Sequence, residues 1–109
     1  MQINESTHNG WTVFTLAGRI DHYSAEALKA ALMPRMTGGA VALDFTGVDY
    51  ITSQGFRVLL IASKEQLAKK GRFVLGNMNE PLTAYFNMAD LGTVFTIVQD
   101  IHLAIDQAP

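Results

Sequence analysis

The sequence predicts an α/β domain with a mixed, mostly parallel sheet of about five strands and about four helices. Three observations carry that expectation. Runs with strand character alternate with runs at helical spacing, which demands crossover connections and a parallel sheet. An Asn9-Gly10 pair marks a tight hairpin near the start, so one strand must run antiparallel. The stretch Ala40-Val41-Ala42-Leu43-Asp44-Phe45 is almost continuously apolar, as a central strand covered on both faces would be.

Taken in order, Met1 to His8 is a weak strand suited to an edge. Trp11 to Ala17 is rich in aromatic and β-branched residues and reads as a buried strand, which Gly18 is expected to end. Asp21 or Ser24 can cap the helix that follows, and Ala25, Leu28, Leu32 and Met36 form its apolar stripe before Thr37-Gly38-Gly39. After the Ala40–Phe45 strand, Thr46 to Ser53 is read as the lead into the longest helix. That helix carries Phe56, Leu59, Leu60, Ser63 and Leu67 along one face and ends at Lys69-Lys70-Gly71-Arg72, cations set against its dipole. Phe73-Val74-Leu75 is a further buried strand. Asn79 and Pro81 start a third helix with Leu82, Tyr85, Phe86 and Ala89 inward, closed by Leu91-Gly92. Val94 to Val98 is the last strand, and Ile101 to Ile105 a short terminal helix.

Composition narrows the function classes. The 109 residues suit one domain, residues 1–109, and a hydrophobic share of 49% supports a core without staples. With no cysteine there is neither disulfide nor thiolate metal site, and a reducing, cytoplasmic setting is expected. Eight Lys and Arg against ten Asp and Glu give a net charge of −2, which argues against nucleic acid as a partner. The amino-terminal residues lack the pattern of a signal peptide, and Val58–Ala62, the longest apolar run, is far too short for direct membrane insertion. His8, His22 and His102 lack metal-ligand spacing, and no glycine-rich phosphate loop precedes a helix, so no metal and no cofactor are expected.

One constellation carries more than packing, namely Tyr50-Ile51-Thr52-Ser53-Gln54-Gly55-Phe56. Two hydroxyl residues stand at a helix start, followed by a glycine and an apolar first turn. Thr52 or Ser53 can simply cap the helix. A nucleophile elbow would need a glycine where Ile51 stands, and no base is placed for it, so no catalytic residue is assigned and the chain is not expected to be an enzyme. A serine at a helix start can also carry a phosphate without unfolding the domain. The added charge would then repel a partner docked through neighbours such as Phe56.

With the stretch from Asp44 to Phe56 at its centre, the chain resembles the STAS domain, and within it the bacterial anti-sigma-factor antagonists. Gly18-Arg19-Ile20-Asp21 resembles that family's G-x-[LI]-D, Gly71 to Leu75 its glycine before a strand, and Met88 to Phe95 its closing segment. The resemblance implies a partner-binding module that sequesters an anti-sigma factor, itself a serine kinase, and is switched off by phosphorylation at Ser53. A PP2C-type phosphatase would reset it, and ATP and Mg would belong to the kinase. It implies a partner surface of Asp21, Thr52, Ser53, Gln54, Gly55, Phe56 and Arg57. Three positions depart from the family's D-S-[ST]-G pattern. Thr52 replaces the acid, Gln54 the second hydroxyl, and Arg57 a small residue. The alternative is a STAS adaptor that binds without phosphorylation, in a signalling complex or as a subunit of a lipid transporter. A small-ligand domain is a further class, since the carboxyl end of such a sheet can hold one.

Overall fold

The computed structural model describes residues 1–88 and 94–109, which form five strands and four helices. Strand β1 (Gln2–His8) turns into β2 (Trp11–Ile20) through Asn9 and Gly10, whose φ values of 56° and 89° suit the twist of a two-residue hairpin. Next come α1 (Ser24–Leu32), a 3₁₀ turn (Met33–Arg35), β3 (Ala40–Ile51) and α2 (Ser53–Ala68). Then follow β4 (Arg72–Gly76), α3 (Glu80–Met88), β5 (Thr96–Val98) and α4 (Ile101–Ile105). The order of elements is the one the sequence predicts.

The strands lie side by side in chain order, with β1 antiparallel to β2 and every later pair parallel. Each crossover therefore steps one strand in the same direction, and crossovers of the usual right hand place α1, α2 and α3 on a single face. On that face Phe14, Leu16, Leu43, Phe45 and Leu75 of the sheet meet Leu28, Leu32, Leu59, Leu82 and Phe86 of the helices. The alternate sheet residues Trp11, Val13, Ala40, Ala42 and Val74 point the other way and pack on Ile101 and Ile105 of α4. The residues after α4 clasp the hairpin turn. Trp11 donates from Nε1 to the Gln107 carbonyl at 2.8 Å, and Asn9 donates from Nδ2 to the Asp106 carbonyl at 2.9 Å.

Several local expectations are corrected. Gly18 does not end its strand. At φ 98° it adopts a backbone that only glycine takes easily, the β2–β3 register shifts beside it, and β2 runs on to Ile20. That extension gives β3 a partner as far as Ile51, so Thr46 to Ile51 is strand rather than a lead into the helix. The helix end at Lys69–Arg72 is also set by more than the dipole. Lys69 donates from Nζ to the Met36 carbonyl at 2.9 Å, Lys70 takes the left-handed turn (φ 63°), and Arg72 lies over the Trp11 ring at 4.8 Å. The final strand begins at Thr96, two residues later than expected. In α3, Leu82 and Phe86 are buried as expected but Tyr85 is exposed. The readings of Ala89 and of Leu91-Gly92 fall outside the described residues.

The buried face of α2 differs most. It comprises Gly55, Val58, Leu59, Ala62, Ser63 and Gln66, whereas Leu67 is 56% exposed. Gln66 is wholly buried because its amide closes three backbone groups at once. It accepts from Gly38 N at 3.0 Å and donates to the carbonyls of Gly39 and Arg72 at 2.8 and 3.1 Å. Gly71 is required beside it, since a Cβ there would stand 2.5 Å from the Gln66 amide carbon. Gln66→Leu leaves the buried Gly38 N–H without its acceptor and removes one donor each from the Gly39 and Arg72 carbonyls, the former still bonded to Arg72 N, and is expected to lower unfolding free energy by about 2 kcal/mol. Leu67→Ala should stay within about 0.5 kcal/mol of the parent. Urea denaturation of the two variants checks both values.

Candidate functional site at the carboxyl end of the sheet

A parallel ladder gathers the starts of its crossover helices at the carboxyl ends of the strands, and the candidate residues lie there. The last β2–β3 pair is Ile20 with Ile51, and Thr52 N donates to the Ile20 carbonyl at 2.9 Å. One residue beyond that rung on each strand stand Asp21 and Thr52, so residues far apart in sequence are brought together.

Each of the two caps the helix that follows it. The Asp21 carboxylate accepts from the backbone N–H groups of Tyr23 and Ser24, both at 3.0 Å. In return the Ser24 hydroxyl accepts from Asp21 N at 2.8 Å. This exchange satisfies donors that the first turn of a helix leaves open. The Ser24 hydrogen bond holds the Asp21 carboxyl below its ordinary value, with Tyr23 N–H and the charge of Arg19 acting in the same direction against partial desolvation. Thr52 has the extended backbone of an N-cap (φ −95°, ψ 173°). Its hydroxyl accepts from Gly55 N at 3.5 Å, the long end of the range, and donates to the Ile20 carbonyl at 3.3 Å.

Those two roles occupy the Thr52 hydroxyl. Ser53, the first residue of α2, is exposed, and its hydroxyl makes no hydrogen bond among the described residues. Of the two adjacent hydroxyls, the cap is structural and the serine is available. Thr52 also accounts for the departure from the acid of the family pattern, because threonine fills a cap position as aspartate does. The first turn of α2 carries no acidic residue.

Gly55 is buried and sets how closely α2 approaches the sheet. A Cβ at this position would lie 2.6 Å from Ile51 Cγ1 and 2.7 Å from Ile20 Cγ2. Phe56 turns sideways and is half-buried, stacked on Tyr85 (centroids 5.3 Å apart, planes 5° from parallel) and edge-on to buried Phe86 at 4.9 Å. Gln54 and Arg57 are exposed and line a cleft of about 200 Å³ between α1 and α2, opposite His22, Glu26 and Lys29. The sequence assigns no binding role to the tyrosines and places Tyr85 inward, yet all three are exposed at this end. Tyr23 is 86% exposed, Tyr50 carries the Arg19 guanidinium 4.7 Å above its ring, and Tyr85 backs Phe56. The legible signal for Tyr23 and Tyr50 was their position beside Asp21 and Thr52 in the sequence.

Among the described residues no group of three or more His, Cys, Asp or Glu could hold a metal, and no helix is long and apolar enough to cross a membrane. The arrangement is an α/β module whose crossover helices all start at one end, with an unengaged serine between two capped turns. The chain belongs to the STAS domain family, whose family model matches residues 2–104. BtrV of Bordetella bronchiseptica, designated an anti-sigma factor antagonist, is 27% identical over 99 residues, covering 89% of this chain and 85% of BtrV. An anti-sigma factor antagonist from Mycobacterium paratuberculosis superposes with a TM-score of 0.85 at 19% identity, covering 97% of this chain and 94% of that one. The Bacillus cell fate determinant SpoIIAA is similar in two states. Its unphosphorylated form gives a TM-score of 0.73 at 20% identity (96% of each chain) and its phosphorylated form 0.72 at 22% (96% and 97%). These structural likenesses establish the shared fold.

Two predictions separate cap from serine. Thr52→Ala is expected to lose about 1 kcal/mol of stability while Thr52→Asp and Ser53→Ala lose little, measured by thermal and urea unfolding. The depressed Asp21 carboxyl gives a pH dependence of definite sign. Its folded-state value lies below the unfolded one, so its contribution is full above the ordinary carboxylate value of about 3.9 and fades as pH falls through the folded value. The stability gap between the parent and Asp21→Ala should accordingly narrow in acid, read from urea midpoints across a pH series.

Proposed function

We propose that this chain is an anti-sigma-factor antagonist that binds an anti-sigma factor with serine-kinase activity and is released by phosphorylation of Ser53. The observation that carries the reading is the free hydroxyl of Ser53 at the exposed start of α2, beside a Thr52 hydroxyl already committed to the cap. The relationship to BtrV and the two phosphorylation states of SpoIIAA support it.

In this reading the partner docks across the carboxyl end of the sheet, over Asp21 and the segment Thr52 to Arg57. The exposed rings of Tyr23, Tyr50 and Tyr85 offer apolar area with polar tips. The partner kinase supplies ATP and Mg. The Ser53 oxygen attacks the γ-phosphorus, the bond to the β-phosphate oxygen breaks, ADP departs, and the hydroxyl proton passes to a base on the kinase. This chain supplies only the acceptor and its position.

Phosphorylation leaves the fold in place because the Ser53 hydroxyl supports nothing, and the start of α2 favours an anion through its free N–H groups and dipole. The mark adds about −1.5 to −2 charges to the docking surface. A partner closing over it would have to desolvate that charge, and binding is lost while the domain stays folded. A PP2C-type phosphatase removes the phosphate and restores binding, all within the cytoplasm.

Incubation with the cognate kinase and ATP is expected to place one phosphate on the chain, at Ser53, and none on Ser53→Ala, read by mass spectrometry. The phosphorylated chain should bind the kinase at least about tenfold more weakly by calorimetry, a loss near 1.4 kcal/mol. A stable complex that leaves Ser53 unmodified in the presence of ATP would instead favour an adaptor role.

A further inference from the structure

Arg57 stands four residues after Ser53 on α2, and both are exposed. Residues at that spacing are neighbours on a helix, with Cβ atoms about 5–6 Å apart. Long helical side chains also lean toward the amino terminus, which carries the Arg57 guanidinium back over the turn that begins at Ser53. An anion preceding a cation by four residues is the favourable order for such a pair. Arg57 makes no salt bridge or hydrogen bond among the described residues; Glu26 lines the same cleft without pairing with it, so no ion pair has to break for the guanidinium to meet a phosphate. The neutral cap Thr52 and the absence of acid from the first turn leave no competing carboxylate beside Ser53 on its own helix.

Resting on the reading of Ser53 as phosphoacceptor, we propose that Arg57 is the positioning residue for the phosphoryl group and holds it along the exposed ridge of α2. The planar guanidinium presents two parallel N–H groups to two phosphate oxygens, a geometry lysine cannot reproduce. The phosphoserine is thereby fixed in one place on the docking surface instead of swinging free in solvent. The switched-off state then depends on a residue of this chain as well as on the mark itself.

The other charged and titratable groups at this end include the Met1 amino group, Arg19 and Asp21 at the end of β2, His22 and Tyr23 before α1, Glu26 and Lys29 on α1, Asp49 and Tyr50 on β3, and Glu80 and Tyr85 on α3. They are the same in parent and variant, so a comparison at position 57 isolates the pair. Phosphoserine is incorporated at position 53 during translation, which makes the test independent of any kinase. The second ionisation of the phosphate, ordinarily near about 6, is followed by phosphorus NMR in the parent, Arg57→Gln and Arg57→Lys. The expected result is a value about half a unit higher in Arg57→Gln than in the parent, roughly a threefold change in ionisation constant, with Arg57→Lys between them. The unphosphorylated forms of all three should melt together, since Arg57 is exposed. Coincident titrations in the parent and Arg57→Gln overturn the proposal, whether or not the mark weakens the kinase complex. A half-unit separation upholds it even if the kinase leaves Ser53 untouched, so its fate and that of the proposed function are read separately.

Discussion

The hydrogen bond from Thr52 N to the Ile20 carbonyl fixes the geometry on which the functional end depends. It is the rung that follows the Ile20–Ile51 pair, and both chains leave the sheet there to begin α1 and α2. Because β2 and β3 are parallel neighbours, the two departures occur at the same height and on the same face. Moving either strand by one residue would turn its side chains to the opposite face and separate the Asp21 cap from the Thr52 cap. Gly55 then lets α2 settle on the two isoleucines, so the same pair that ends the ladder also seats the helix.

The apolar excess at the start of α2 is shared among three neighbours. Val58 and Leu59 reach the core, Phe56 goes to the aromatic group formed with Tyr85 and Phe86, and Ile61 borders the cleft toward α1. The outward ridge that remains is polar and carries Ser53 and Arg57. A hydroxyl free of structural duty thus follows directly on the capping Thr52 and precedes the buried Gly55. Modification there changes the surface and leaves the packing alone.

Much of this was legible in the sequence because the signals were local. The Asn9-Gly10 turn, the stripe of Ala25, Leu28 and Leu32, and the twice-covered run from Ala40 follow from turn chemistry and periodicity, and each is buried or folded as those rules require, whereas Met36, expected on the same helix, is buried from beyond the 3₁₀ turn that follows α1. What escaped is non-local. Gly18 reads as a breaker until β3 lies beside it, where the left-handed residue makes a bulge and both strands lengthen. Gln66 carries no signal in the sequence, and its burial follows from the Gly38-Gly39 loop and the start of β4, which bring it three backbone partners; Leu67, expected on the buried face, is exposed. The site segment was found by its pattern of hydroxyls and glycine. Which hydroxyl caps and which is free depends on the Ile20 carbonyl, which lies 32 residues away in the chain.

The clasp between the hairpin turn and the last residues bears on how this protein can be observed. Trp11 is the only tryptophan in the chain. It is buried at the far end of β2 from Ser53, bonded to Gln107 and roofed by Arg72. Its fluorescence therefore reports release of the carboxyl-terminal residues, and it is blind to events at the opposite pole. An optical signal for complex formation would have to come from the three surface tyrosines or from a probe placed near them, and the built-in fluorophore serves as an internal reference for integrity of the fold.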